Sequence, residues 1–123
     1  MGRILIADDE QHILEVMVDI LESAGHEVIA VPDGHEALFH LQSSYFDIAI
    51  LDVMMPKLDG YHLAQAVHGL PKPPIVVIVT SRDFDGDKHA LTAAGVAAFL
   101  PKPFSNKDLI EVVAKLLKEK GLK

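Results

Sequence analysis

Five polar side chains each follow a short apolar run, and together their types could support phosphoryl transfer. Asp8 and Asp9 follow the first run, Asp52 the third, Thr80 the fourth, and Lys102 comes shortly after the fifth. Three carboxylates in one crevice would repel each other, so at neutral pH they need a cation or protons. Their oxygens suit a hard ion such as Mg²⁺, and a carboxylate can act as a nucleophile to give an aspartyl phosphate. The set predicts transfer to Asp52, with a metal and Lys102 neutralising charge and the Thr80 hydroxyl holding one oxygen.

These side chains can meet only if the apolar runs before them are neighbouring strands. The runs are rich in Ile and Val and show no alternation with polar residues, which is typical of strands buried on both faces. The five predicted strands are Ile4–Ala7, Val28–Val31, Ile48–Leu51, Ile75–Val79 and Ala97–Leu100.

Helical patterns separate and follow these strands. Their apolar faces are Ile13, Met17, Ile20 and Leu21; Ala37, Leu38 and Leu41; Leu63, Val67 and Leu70; a mostly Ala face within Phe84–Ala94; and Leu109, Val112, Val113, Leu116 and Leu117. Gly25 and Gly95 are predicted stops, and Asp33-Gly34 opens the second helix. Asp59 and Asn106 are candidate caps for the third and fifth helices.

Strict alternation of strands and helices predicts an α/β fold with a parallel sheet, helices on both faces and right-handed crossovers. Five strands is the number found in the flavodoxin-like doubly wound order 2-1-3-4-5. In such sheets ligands bind beyond the carboxyl ends of the strands, where the strand order reverses. Strand 2 would lie at the edge and ends in the turn residues Pro32-Asp33-Gly34. The four chemically equipped strand ends would then be adjacent.

Each of these residues also has an ordinary structural explanation. An acid pair before a helix is often a cap, a role open to Asp9 or Glu10, and a single Asp after a strand is often a turn residue. Thr80 could be a cap and Lys102 a solvated surface charge. The coincidence on adjacent strand ends is what favours a site.

Four segments resemble response-regulator receiver domains of two-component signalling, of the chemotaxis-regulator type. Ile4–Glu10 resembles their opening, and Leu51–Gly60 resembles their phosphoacceptor segment almost residue for residue. Thr80 and Lys102-Pro103-Phe104 match the two remaining signatures in the right order. The resemblance covers essentially the whole chain and also supports the 2-1-3-4-5 strand order.

The resemblance implies a metal site and a phosphoacceptor. Asp52 would be the phosphoacceptor, and it would bind Mg²⁺ directly together with Asp9 and the backbone carbonyl of Met54. Asp8 would bind the ion through water.

The resemblance also implies a switch. Lys102 would contact the phosphoryl group, Thr80 would move toward it, and Phe99 would be the aromatic residue that reports the change. The Lys102–Pro103 peptide bond would be cis, as is typical of the family.

Composition limits the remaining possibilities. The chain has 123 residues, 50% of them hydrophobic, which suits one domain over residues 1–123. A net charge of −7 argues against nonspecific binding to a phosphate backbone, so we expect no direct nucleic-acid binding. The absence of Cys is compatible with the cytoplasm. We expect no signal peptide, because Met1 leads directly into a strand, and no membrane span, because the apolar runs are short.

The implied partners are a sensor histidine kinase or a histidine phosphotransfer protein, with the target or output domain unknown. Such a domain is not a turnover enzyme and catalyses only its own phosphorylation and dephosphorylation. Three alternatives remain. A haloacid-dehalogenase-like phosphohydrolase would need a second Asp where Met54 stands, a flavodoxin-like electron carrier would need a phosphate-binding loop where Asp8-Asp9-Glu10 stand, and an unphosphorylated docking module would not need the acids. The kinase, the oligomeric state and whether the chain is an excised domain stay open.

Overall fold

The computed structural model describes residues 2–52, 60–80, 88–93, 95–119 and 121. Strands and helices alternate along the described part of the chain. The strands are β1 Arg3–Ala7, β2 Glu27–Val31, β3 Ile48–Asp52, β4 Ile75–Thr80 and β5 Val96–Pro101. The helices are α1 Gln11–Ser23, α2 Gly34–Ser43, α3 Gly60–His68, α4 Lys88–Ala93 and α5 Asn106–Glu119. All five predicted strands are confirmed, with ends that differ by one residue.

The strands form one parallel sheet in the order β2-β1-β3-β4-β5. The predicted α/β fold class and strand order are therefore confirmed. The order reverses between β1 and β3, which places the switch point beside the end of β3.

The two faces of the sheet explain why the strands are uniformly apolar. Successive side chains of a strand point to opposite faces. In β1, Leu5 faces a core shared with α2 and α3, whereas Ile4 and Ile6 face a core shared with α1 and α5. Both cores exclude water, so neither set of positions can be polar.

The helix faces largely follow the predicted periodicity. In α1 the fully buried residues are Leu14, Met17 and Leu21, and the predicted Ile13 and Ile20 are only partly buried beside them. The buried face of α1 therefore begins at Leu14, one residue after the predicted Ile13. Gly25 follows with a φ of 96°, in the left-handed region that ends helices.

Helix capping confirms one expectation and corrects another. α2 begins at Gly34, as predicted from Asp33-Gly34, and the Asp33 side chain caps it by accepting a hydrogen bond from the Glu36 N–H at 2.9 Å. The cap of α5 is Ser105 and not Asn106. The Ser105 hydroxyl accepts from the Asp108 N–H at 3.0 Å, and the Asp108 carboxylate accepts from the Ser105 N–H at 3.2 Å. This reciprocal capping box satisfies two free N–H groups, whereas Asn106 is already inside the helix.

Two expectations about helix starts concern residues outside the described ranges, namely Asp59 as the cap of α3 and the beginning of the fourth helix at Phe84. Gly95 follows α4 with a φ of 101°, as expected of a helix stop. Within the part of the chain that the structure describes, no helix has the length and apolar character needed to cross a bilayer.

Candidate functional site

The predicted site residues lie along one edge of the sheet. Asp52 and Thr80 are the last residues of β3 and β4, while Asp8 and Lys102 directly follow β1 and β5. The parallel register aligns these ends, because Ala7 pairs with Leu51, Asp52 with Val79 and Thr80 with Pro101. Four separate segments are brought together at the switch point.

Lys102 is the centre of the polar contacts at this edge. Its Nζ donates to Asp52 Oδ2 at 3.2 Å and to Asp8 Oδ2 at 3.4 Å. It also forms an ion pair with Glu10 Oε1 at 3.5 Å. A residue predicted to face a phosphoryl group therefore contacts three carboxylates.

Asp8, Asp9 and Asp52 form an oxygen-only cluster that fits a divalent cation. One carboxylate oxygen from each lies within 4.8 Å of the others. Asp8 and Asp52 are buried, at 1% and 8% exposure, whereas Asp9 is exposed to solvent. Hard cations such as Mg²⁺ prefer this donor set, since they bind carboxylate oxygens and retain water on the open side.

Asp8 is held in place by the backbone that starts α1. Its Oδ1 accepts a hydrogen bond from the Glu10 N–H at 2.9 Å. Glu10 itself occupies the N-cap position of α1 but makes no side-chain capping bond. Burial raises the pKa of the Asp8 carboxyl above its usual value, and the charge of Asp52 raises it further, against the lowering effect of the Glu10 N–H and of Lys102.

The same cluster favours the charged form of Lys102, whereas burial and Asp52 disfavour the charged form of Asp8. Burial by itself would lower the pKa of Lys102, but the charges of Asp52 and then Asp8 outweigh it, so the pKa is raised. The lysine therefore stays protonated at neutral pH and partly neutralises the acids. The negative charge that remains attracts a metal cation and repels a phosphoryl group unless a cation is present.

The predicted switch residues belong to β4 and β5, the strands that lead to Thr80 and Lys102. Thr80 is 2% exposed, and its carbonyl accepts a hydrogen bond from the Lys102 N–H at 2.7 Å, which ties the end of β4 to the lysine. Phe99 is partly buried and packs against the core shared with α2 and α3. The Lys102–Pro103 bond is cis, as the resemblance implies. Met54 lies outside the described residues.

Glu10 is the site residue that sequence reasoning missed. The sequence pattern indicates only a capping role for Glu10, but in the structure its side chain reaches Lys102. Its position directly after the acid pair was the one available signal.

A groove runs from the site along α1. Its volume is about 610 Å³. It is lined by Glu10, His12, Ile13, Val16, Met17, Lys102, Pro103 and Phe104. Lys102 and Glu10 thus lie at an opening accessible from solvent.

A doubly wound sheet with an acidic, lysine-bearing cleft at its switch point defines a class of α/β domain suited to phosphoryl chemistry. Comparison with known families then identifies it: residues 4–114 match the response regulator receiver domain model. The chain belongs to this family, and it is a receiver domain of two-component signalling.

Individual relatives agree with this assignment. The chain is 32% identical to the transcriptional regulatory protein CpxR of Escherichia coli K12 over 118 residues, which is 96% of this chain and 50% of CpxR. It is 35% identical to the sensor histidine kinase GacS of Pseudomonas protegens over 120 residues, which is 92% of this chain and 13% of GacS. The chain therefore spans half or less of these two curated relatives.

Solved structures show the same fold. The receiver domain of the Francisella response regulator 1452 superimposes with a TM-score of 0.89 at 31% identity. The match covers 98% of this chain and 99% of that one.

Proposed function

We propose that Asp52 accepts a phosphoryl group in a reaction that depends on Mg²⁺, and that the domain signals through this modification. The observation that carries the proposal is the joint placement of Asp52, two further acids and Lys102 at the switch point. A phosphoryl group on Asp52 would lie between an acidic pair and the partly buried ammonium of Lys102.

The residues of the cluster fit Mg²⁺, and the proposed ligands are Asp9, Asp52 and the backbone carbonyl of Met54, with Asp8 acting through water. The donors are oxygens, and the buried, mutually repelling carboxylates are expected to gain from a cation. When bound, the ion would neutralise negative charge on the phosphoryl oxygens.

The chain's own residues account for the other requirements of the transfer. Asp52 Oδ attacks phosphorus, so a P–O bond forms while the P–N bond of a phosphohistidine breaks. The imidazole takes the electron pair of that bond and, already protonated on its other nitrogen, leaves as a neutral ring. Lys102 donates a hydrogen bond to a phosphoryl oxygen and so places a positive charge against the developing negative charge. The buried Thr80 hydroxyl supplies a neutral donor from the neighbouring strand.

We also propose that this event is read out through Thr80 and Phe99. Thr80 ends β4, and Phe99 lies in the neighbouring strand β5. Movement of Thr80 toward the phosphoryl group would therefore change the space available to the Phe99 ring. The affected surface would be the one formed by α4, β5 and α5. Backbone NMR with beryllofluoride and Mg²⁺ tests this, since Thr80→Ala should reduce the shifts at Phe99 while leaving Asp52 phosphorylatable.

The wider role follows from the family. The proposed phosphodonor is a sensor histidine kinase or a histidine phosphotransfer protein, and the domain catalyses only its own phosphorylation and dephosphorylation. We place it in the cytoplasm as one receiver domain over residues 1–123, with no direct binding to nucleic acid or membrane.

Intact-mass measurement after treatment with acetyl phosphate and Mg²⁺ tests the central claim. The wild type should gain one phosphoryl group, and the adduct should be labile to hydroxylamine, as an acyl phosphate is. Asp52→Asn should gain none. Asp47→Asn should react like the wild type, because Asp47 precedes β3 and lies at the opposite end of that strand from Asp52. Equal labelling of Asp52→Asn would overturn the assignment.

A further inference from the structure

Glu10 brings a third negative charge to Lys102, in addition to Asp8 and Asp52 of the acid cluster. The Lys102 Nζ contacts Asp52, Asp8 and Glu10 at 3.2, 3.4 and 3.5 Å. Two of these carboxylates are buried, but the Glu10 side chain is 60% exposed. Glu10 therefore lies at the solvent side of the lysine, where a phosphodonor must arrive.

The position of Glu10 is produced by the start of α1. Because Asp8 Oδ1 accepts the Glu10 N–H, the helix start does not need the Glu10 side chain as a cap. That side chain extends across to the segment after β5 instead, more than ninety residues away along the chain.

An ammonium has three N–H donors. In the resting site Lys102 donates hydrogen bonds to Asp52 and Asp8 and is also held by the ion pair with Glu10. A phosphoryl oxygen that approaches the ammonium from the solvent side must therefore displace one of these three contacts. The contact with Glu10 is the least costly to break, because an exposed carboxylate regains its water when released. The two buried partners have no comparable compensation.

We propose that Glu10 is a positioning residue that occupies Lys102 in the resting domain and opposes entry of the phosphoryl group, and so sets how readily Asp52 is phosphorylated. The inference rests on the proposed function of Asp52 and Lys102. Glu10 acts through Lys102 and through its own charge at the entrance, and it forms no bond to the phosphoryl group.

Glu10→Gln keeps the size of the side chain and removes the charge. Phosphorylation by acetyl phosphate should then be about threefold faster at low salt, the effect expected of an exposed ion pair. The advantage should disappear near 0.5 M salt, because exposed charges are screened within a few ångströms there. The affinity for beryllofluoride with Mg²⁺, measured by NMR titration, should rise by a similar factor.

Glu15→Gln is the matched control. Glu15 lies on the same helix, carries the same charge and contacts Gln11 at 3.3 Å rather than the site. It should react like the wild type, which separates a local effect from the change in net charge.

The outcomes separate the two proposals. No acetyl phosphate labelling of the wild type would overturn the proposed function itself. A labelled wild type with Glu10→Gln no faster than Glu15→Gln, or faster by an amount that salt leaves unchanged, would overturn the role of Glu10. A salt-sensitive acceleration confined to Glu10→Gln, with tighter beryllofluoride binding and an unchanged melting temperature, supports it.

Discussion

Asp8 carries the charge that folding disfavours most within the cluster, so Asp8→Asn is expected to stabilise the metal-free protein at neutral pH. Burial is the main reason that its pKa is raised, and the charge of Asp52 adds to it. Asn has nearly the same shape and can still accept the hydrogen bond from the Glu10 N–H through its side-chain oxygen. The substitution therefore removes the charge with little change in packing.

The size of the effect follows from four contributions. The acid oxygens lie within 4.8 Å of one another, and Lys102 Nζ lies 3.4 Å from Asp8 Oδ2. At an effective dielectric constant of about 20, unit charges at these separations repel by about 3.5 kcal/mol and attract by about 5 kcal/mol. Removing a carboxylate from water costs several kcal/mol, of which a charged hydrogen bond recovers about 2. These opposing contributions nearly cancel. Because the raised pKa of Asp8 shows that burial and repulsion prevail, the expected gain for Asp8→Asn is small, about 1 kcal/mol.

Urea unfolding with a chelator at pH 7 measures this gain. Asp9→Asn is the control, since Asp9 is exposed and its variant should stay within about 0.5 kcal/mol of the wild type. Because the folded-state pKa of Asp8 is raised, its contribution is favourable below the usual pKa and is lost as the pH rises through the folded pKa. The advantage of the variant should therefore be small near pH 4 and grow toward pH 7.

Added Mg²⁺ should favour the wild type, because the ion binds the folded state and the intact acids bind it better. A lower free energy of unfolding for Asp8→Asn in metal-free buffer would show that the pairing with Lys102 outweighs burial, contrary to the reasoning above.

Two further predictions concern positions away from the site. Burial lowers the pKa of His26, whose Nδ1 accepts a hydrogen bond from the Gly2 N–H at 3.1 Å. The neutral His26 side chain therefore stabilises the fold above its usual pKa, and this contribution is lost as the pH falls through the lowered folded value. The free energy of unfolding of His26→Gln, measured with urea, should depend less on pH between 7 and 5 than that of the wild type. An equal pH dependence would contradict this. Gly95→Ala should lower the free energy of unfolding by about 1 kcal/mol or more, because Gly95 has a φ of 101° and a Cβ would lie 2.7 Å from the His68 ring. Gly69→Ala, whose Cβ would meet its nearest neighbour at 3.6 Å, is the control and should change stability little.

The strands could be predicted from the sequence because their burial leaves a local signature. In β3 every residue is buried, so Ile48–Leu51 had to be apolar without alternation. The alternation of such runs with helical patterns is enough to predict a parallel sheet. Because parallel strands end at a common edge, the meeting of Asp8, Asp52 and Lys102 followed from their positions after the runs.

Helix ends and helix faces were less predictable, because several residues offer similar local chemistry. Ser105 and Asn106 are both good N-cap residues, and only the reciprocal bonds with Asp108 decide between them. Leu14 and Ile13 are equally apolar, and the packing of α1 against the sheet decides which of them is fully buried.

The sequence by itself determined the fold class, the strand order supported by family resemblance, and the set of acids, hydroxyl and lysine at the site. Only the tertiary structure decided the partners of Lys102. Its contacts with Asp8, Glu10 and Asp52 join segments that are far apart in the chain, and their distances depend on how β5 lies against β4 and how α1 begins. Glu10 was therefore assignable as a cap from local pattern alone, whereas its contact with the lysine arises from packing that no local pattern encodes.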